Sequence, residues 1–304
     1  MAGARAQANG IEVAYETFGD PEDPALIMVM GLGLQLIHWD PDFCTALADR
    51  GFHVIIFDNR DTGLSSKIEG GPKANLWAGL LGRSGSASYR LEDMADDTAG
   101  LLDALEVEQA HVLGASLGGM IAQTLALNHP ERVLSLALVM STTGNRRVGS
   151  PRLSALRVLL RPAPSDREKY IEFFVRAHRA IGSPAFRLSE AEMRELAAAG
   201  YDRSFCPAGT VRQLLAIVAS GDRTKALRGL EVPTVVIHGQ EDPMVPPRAG
   251  RATARVIPGA ELVEIPGMGH DLPRQVWASV IDAVVGNTTR AAQDPQKPAA
   301  SLTV

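Results

Sequence analysis

The sequence predicts an α/β protein, a mostly parallel sheet flanked by helices and interrupted by an all-helical insertion, and three observations predict it. Short continuous apolar runs, of the kind buried on both faces of a sheet, alternate with stretches of helical spacing. That alternation stops between about residues 145 and 222, where only helical patterns occur, and then resumes. One apolar run ends in Leu113-Gly114-Ala115-Ser116-Leu117-Gly118-Gly119-Met120, a small-residue turn that sets one hydroxyl between a strand and a helix.

The glycines of that turn have a steric reason. A serine on a sharp strand-to-helix turn strains the backbone, and side chains two positions either side would collide. Ser116 then projects alone, and the N–H groups of the first helical turn lie beside it as donors for an oxyanion. The pattern G-x-S-x-G is weak by itself: with 29 glycines in 304 residues, it arises by chance in on the order of one such chain in ten. Its surroundings must decide.

In chain order, two short apolar segments between Ala4 and Phe18 flank Asn9-Gly10, a two-residue hairpin signal. Ala25–Met30 and His53–Phe57 read as buried strands around a short helix over Phe43–Arg50, and strand, helix, strand implies parallel pairing. A polar turn over Asp58–Ser65 leads into a long Gly- and Ser-rich loop reaching about Ser88, with an apolar patch at Leu76–Leu81. Leu91 to Leu105 has helical periodicity, His111–Leu113 is a strand, Met120–Leu127 a helix and Val133–Met140 another strand. In the insertion, Ser150-Pro151 reads as an N-cap with proline at the first helical position, and Ser165-x-x-Glu168 and Ser189-x-x-Glu192 match the capping box. Strands follow at Pro233–His238 and Glu261–Ile265, with helices over about Arg248–Arg255 and Pro273–Val285. The expected divisions are therefore a first core segment (1–144), a helical cap (145–222), a second core segment (223–286) and a polar, proline-containing, disordered tail (287–304).

Composition narrows the function. Thirty basic against thirty-five acidic residues, a formal charge of −5 and no long run of either sign argue against a nucleic-acid partner. No stretch has 18 consecutive apolar residues, and no apolar segment follows Met1, so a cytoplasmic protein without a membrane span is expected. Cys44 and Cys206 suit neither a disulfide framework nor a metal site. No ligand cluster or phosphate-loop lysine points to a metal, nucleotide or flavin, and no cofactor is expected.

A serine hydroxyl needs a base, and the base needs a third group to fix its tautomer. Of the seven histidines, His53, His111 and His238 fall in strands and read as core or edge residues. His129 ends a helix, His178 lies on the insertion's apolar face, and His38 follows the Gly31-Leu32-Gly33 loop, where it could line a pocket. His270 differs, because Pro266-Gly267-Met268-Gly269-His270-Asp271 is a flexible turn after the last strand, able to reach over the sheet edge. For the acid, Glu241 and Asp242 share the loop after the penultimate strand. Asp242 is the choice, although an aspartate before Pro243 is also an ordinary turn and helix cap. The order Ser116, Asp242, His270 is that of an α/β-hydrolase triad.

From about Gly10 to Gly286 the chain resembles the α/β-hydrolase family. The resemblance rests on Gly114-x-Ser116-x-Gly118, Asp58-x-Arg60-x-x-Gly63-x-Ser65, Pro233-Thr234-x-x-Ile237-x-Gly239-x-x-Asp242 and Gly267-x-Gly269-His270. It implies an eight-stranded sheet, a cap over the site, and a supporting rather than chemical role for the Asp58–Ser65 turn. Many members carry His-Gly before the oxyanion residue where this chain has Met30-Gly31; a backbone donor survives that change, so Leu32 and Leu117 are the expected donors. The Met-Gly start and the Arg60-Asp61-Thr62-Gly63 turn are similar to the branch with polyketide methylesterases such as aclacinomycin methylesterase.

The expected chemistry is ester cleavage on a small-molecule substrate through an acyl-enzyme. A cofactor-free C–C hydrolase, perhydrolase or peroxidase on the same triad is the alternative, and a non-catalytic binding protein a remote one. Gly31, His38, Trp77, Phe174 and Met268 are the expected substrate-binding residues, with Leu80, Leu81, Phe173 and His178 nearby; ordinary cap packing explains the apolar ones equally well. The oligomeric state is not legible.

Overall fold

The computed structural model describes residues 3–69 and 87–293. Eight strands form one sheet in the order β1-β2-β4-β3-β5-β6-β7-β8. β1 (Ala4–Ala8) and β2 (Ile11–Phe18) are antiparallel, and β2 joins β4 (His53–Phe57) antiparallel. Asn9 and Gly10 both have positive φ, 47° and 78°, as the tight hairpin requires. From β4 onward the pairing is parallel through β3 (Ala25–Val29), β5 (Ala110–Ala115), β6 (Val133–Val139), β7 (Thr234–Gly239) and β8 (Glu261–Ile265).

The continuous apolar runs are explained by burial on both faces. Ile27 and Val29 face a core completed by α2 (Leu91–Ala104) and α3 (Leu117–Asn128). Their neighbours Leu26 and Met28 face the opposite core with α1 (Pro41–Ala48) and the C-terminal helix. Alternate residues of one strand thus serve two cores.

Between β6 and β7 stand five helices: α4 (Arg146–Gly149), α5 (Leu153–Leu159), α6 (Arg167–Ile181), α7 (Glu190–Arg203) and α8 (Pro207–Ser220). Ser189 and Glu192 form the expected capping box. Two other caps differ from expectation. Asp166, not Ser165, caps α6 by accepting from Lys169 N–H, since a carboxylate next in line reaches the same orphan donors. Ser150-Pro151 does not open a helix, because α5 starts two residues later with Arg152 at its N-cap.

After α9 (Pro247–Val256) and β8, α10 runs from Trp277 to Ala292, beyond the expected stop near Val285. The polar residues read as tail have a packing role: Asn287 is buried and donates to Leu136 O and Pro233 O at 3.1 and 3.2 Å. The chain is therefore helical past residue 287. Among the described residues no helix is long and apolar enough to cross a membrane.

Candidate active site

Ser116 sits where β5 ends and α3 begins, with φ 55° and ψ −114°. Such a backbone is costly for a residue with a side chain, by on the order of 1–3 kcal/mol, and persists only where its surroundings enforce it. They do: a Cβ on Gly118 would stand 1.9 Å from Val29 O, and one on Gly114 2.4 Å from Gly118 O. Ser116 N–H donates to Val139 O at 2.9 Å, and Ser141 Oγ donates to Ser116 O at 2.8 Å. The turn is fastened from both sides.

His270 bridges the two remaining groups. Its Nε2 is 3.0 Å from Ser116 Oγ, and its Nδ1 is 2.7 Å from Asp242 Oδ2. A carboxylate only accepts, so Nδ1 carries the proton and Nε2 is free to accept from the hydroxyl. Asp242 is fully buried, whereas Glu241 is exposed. The two oxygens of Asp242 have different partners. Oδ1 accepts from Met244 N–H and Val245 N–H at 2.8 Å each, the turn-capping role, while Oδ2 faces His270.

His238 Nε2 lies 3.6 Å from Asp242 Oδ2 but gives its proton to Val245 O at 2.8 Å. Burial holds its pKa below the ordinary histidine value against the opposing pull of Asp242. His238 thus bonds to the Val245 carbonyl, and the hydrogen bond to Asp242 Oδ2 belongs to His270.

Opposite the elbow, Gly31–Leu34 makes a tight turn closed by Leu34 N–H to Gly31 O at 3.4 Å. A Cβ on Gly31 would come within 3.4 Å of Ser116 Cβ, so this loop borders the hydroxyl directly. Among the described residues the N–H groups of Leu32 and Leu117 find no acceptor. Free backbone donors beside a serine can hold a developing oxyanion.

The family model for the alpha/beta hydrolase fold matches residues 24–273. The chain belongs to the α/β-hydrolase family. Among its relatives, the rhodomycin D methylesterases DauP of a Streptomyces species and DnrP of Streptomyces peucetius are 32% and 31% identical over 298 residues, 91% of this chain and 94% of theirs. A solved esterase from Thermogutta terrifontis superposes with a TM-score of 0.66 at 25% identity, covering 94% of this chain and 98% of that one.

The α/β-hydrolase scaffold brings Ser116, Asp242, His270, Leu32, Leu117 and Gly31 together at the carboxyl ends of β3, β5, β7 and β8. The residues expected to bind substrate lie in different settings. His38 and Phe174 are half-buried with ring centroids 6.1 Å apart, and the ladder continues from Phe174 to His178 at 6.2 Å and to Tyr170 at 6.4 Å. His38 also lines a cavity of about 50 Å³ with Gly33, Gln35, Tyr170, Phe205 and Thr210. Burial pushes its pKa down to about 4, so it is neutral near pH 7. Met268 is not a wall of the pocket: it is fully buried in the core with Ile265 and Val276, and its carbonyl accepts from Glu241 N–H at 2.9 Å. Its place between two site loops made it resemble a lining residue. Trp77, Leu80 and Leu81 lie outside the described residues.

Three site neighbours escaped the sequence reading. Ser183, after α6, accepts from Gly269 N–H at 2.9 Å and donates through N–H and Oγ to Asp271, and Ile181 O accepts from His270 N–H at 2.8 Å. The insertion thereby grips the histidine turn. Gln213, on α8, grips the glycine loop. Its one signal in the sequence is a polar side chain set against the apolar run Leu214, Leu215 and Ala216, and the structure buries it fully.

Proposed function

We propose that this chain is a carboxylic ester hydrolase acting through an acyl-enzyme. The observation that carries the reading is His270 spanning Asp242 and Ser116 at 2.7 and 3.0 Å, on a serine held at positive φ. Ser116 Oγ attacks the ester carbonyl carbon as its proton passes to His270 Nε2, and the charged Asp242 stabilises the imidazolium. The carbonyl oxygen becomes an oxyanion facing the N–H groups of Leu32 and Leu117. Collapse breaks the ester C–O bond, and the departing alcohol takes the proton from Nε2. Water repeats the sequence: it loses a proton to His270, attacks the acyl carbon and releases the carboxylic acid and Ser116.

The substrate class is a methyl ester borne on a polycyclic body. Two rhodomycin D methylesterases among the relatives support it, as does the ladder of rings His38, Phe174, His178 and Tyr170, three of them on α6. The test is fluorophosphonate labelling with wild type and Ser116→Ala, followed by a panel of esters graded in alcohol size and ring number. Labelling lost with Ser116→Ala, and turnover highest for methyl esters of fused-ring acids, is expected. Labelling that persists in Ser116→Ala defeats the mechanism; a preference for long-chain alkyl esters defeats the substrate class alone.

A further inference from the structure

The family resemblance implies that the insertion is a cover, yet one of its side chains is built into the loop that borders the serine. Gln213 Oε1 accepts from Gly33 N–H at 2.9 Å, and its Nε2 donates to Thr62 Oγ1 at 2.7 Å and Arg60 O at 2.9 Å. The side chain is fully buried. Its orientation is fixed by this set, because a reversed amide would point its NH2 at the Gly33 N–H and its oxygen at the Arg60 carbonyl. The helix that carries it is docked locally as well: Arg212, the preceding residue, forks onto both oxygens of Asp61 at 2.5 and 2.7 Å.

The loop explains why this bond matters. Gly33 has φ 68°, the positive value that a type II turn demands at its third position, and the side chain of Thr210 occupies the space where a Cβ would be. The peptide planes on either side of Gly31–Leu32 are each anchored. Asn59 Nδ2 donates to Met30 O at 2.9 Å on one side, and Gln213 takes Gly33 N–H on the other. Between them, the Gly31 carbonyl accepts from Leu34 N–H, and Leu32 N–H is left free. With both flanking planes fixed, the direction of that donor is fixed.

We infer that Gln213 is a positioning residue that aims the Leu32 N–H at the oxyanion, so that the insertion is part of the catalytic apparatus and not only its cover. This rests on the ester-hydrolase reading. A donor aimed at an oxyanion acts where charge develops, so its loss lowers kcat and leaves ground-state binding nearly unchanged. Removing a donor outright costs about 100- to 1,000-fold in comparable holes. Loosening its aim should cost less.

The experiment compares wild type, Gln213→Met and Thr62→Val on one methyl ester, with amide hydrogen exchange at Gly33 measured in parallel. Gln213→Met removes the acceptor at nearly constant volume; Thr62→Val removes one anchor of Gln213 and leaves the loop bond in place. The expected kcat losses are about 10- to 100-fold and about two- to fivefold respectively, with KM within about threefold of wild type and faster exchange at Gly33 in Gln213→Met. If Gln213→Met does not fold, Thr62→Val carries the test: an unchanged kcat overturns the inference. So does a raised KM at constant kcat, which would make Gln213 a pocket residue. Wild type without ester turnover overturns the ester-hydrolase reading instead, and protection of Gly33 that survives in Gln213→Met then separately overturns the positioning bond.

Discussion

The elbow and the glycine loop flank the same hydroxyl and hold their shapes by opposite means. Ser116 owes its conformation to neighbours in sequence, since Gly114 and Gly118 leave room for each other and for β3 and the helix begins at the next residue, with Val139 and Ser141 of the adjacent strand end fastening it. The Gly31–Leu34 turn is fixed from far along the chain, by Asn59 and by Gln213, 180 residues away. A local device is portable and leaves a motif. A device assembled across two segments leaves only a buried polar residue whose partner the sequence does not name.

The largest effects should come from the hydroxyl that the elbow presents and from the base that faces it. Ser116→Ala and His270→Ala should each lower turnover by on the order of a millionfold, since residues that act as one unit lose nearly the whole advantage together. Stopped assays on a methyl ester, with melting curves to show intact folds, check this; a folded His270→Ala protein with near-normal turnover removes His270 as the base.

Next is the acid. In Asp242→Asn, the amide oxygen can keep the Met244 and Val245 N–H bonds while its NH2 faces His270 Nδ1, which moves the imidazole proton to Nε2 and leaves nothing there to accept from Ser116. A loss of about ten-thousandfold follows. Glu241 is exposed, and its part in the site is its backbone N–H to Met268 O, so Glu241→Gln should stay within about twofold of wild type. Single-turnover acylation rates of both variants decide it, and comparable losses would undo the separation of the two carboxylates.

These two sets test what was legible. The sheet was readable because runs such as Ala25–Val29 must be apolar on both faces, and the candidate residues Ser116, Asp242 and His270 stood out because strand ends with Gly, Asp-Pro and Gly-x-Gly-His are local patterns. Cap boundaries were less so: Ser165 and Asp166 are adjacent and nearly equal as caps, and Arg152 opens α5 without a side-chain cap bond, so no propensity marks it. Met268 and Asn287 were misread for one reason. Burial is set by what packs on a residue, which for Met268 is Val276 and its helix, and for Asn287 two strand carbonyls.

A smaller effect should come from the second long-range grip. Ser183→Ala leaves Gly269 N–H buried without its acceptor and Asp271 without one donor, beside the histidine turn. An unsatisfied buried group costs about 1–3 kcal/mol. Kcat should fall by about tenfold, with KM steady and restored by Ser183→Thr. A loss of melting temperature with kcat unchanged would make the contact structural only.

The smallest effect concerns His38, which packs against Phe174 of the insertion and accepts at Nδ1 from Gln35 N–H at 3.0 Å. Burial lowers its pKa to about 4 from the ordinary 6.5, helped by the charge of nearby Arg203 and by His178. Between those values the unfolded chain binds a proton that the folded chain does not. Stability carried by the neutral ring is therefore complete above about pH 6.5 and is lost as pH falls toward 4, with a slope of at most about 1.4 kcal/mol per pH unit for one proton. His178, His238 and His53 are also held low by burial and act in the same direction, so wild type should lose stability on mild acidification before its carboxylates titrate. His38→Gln keeps an acceptor for Gln35 and has no proton to gain. Urea midpoints measured from pH 7 to 4.5 should fall less steeply in His38→Gln than in wild type, with the curves closest at low pH. Parallel curves would mean that the contact between the glycine loop and the insertion leaves His38 as free to protonate as it is in the unfolded chain.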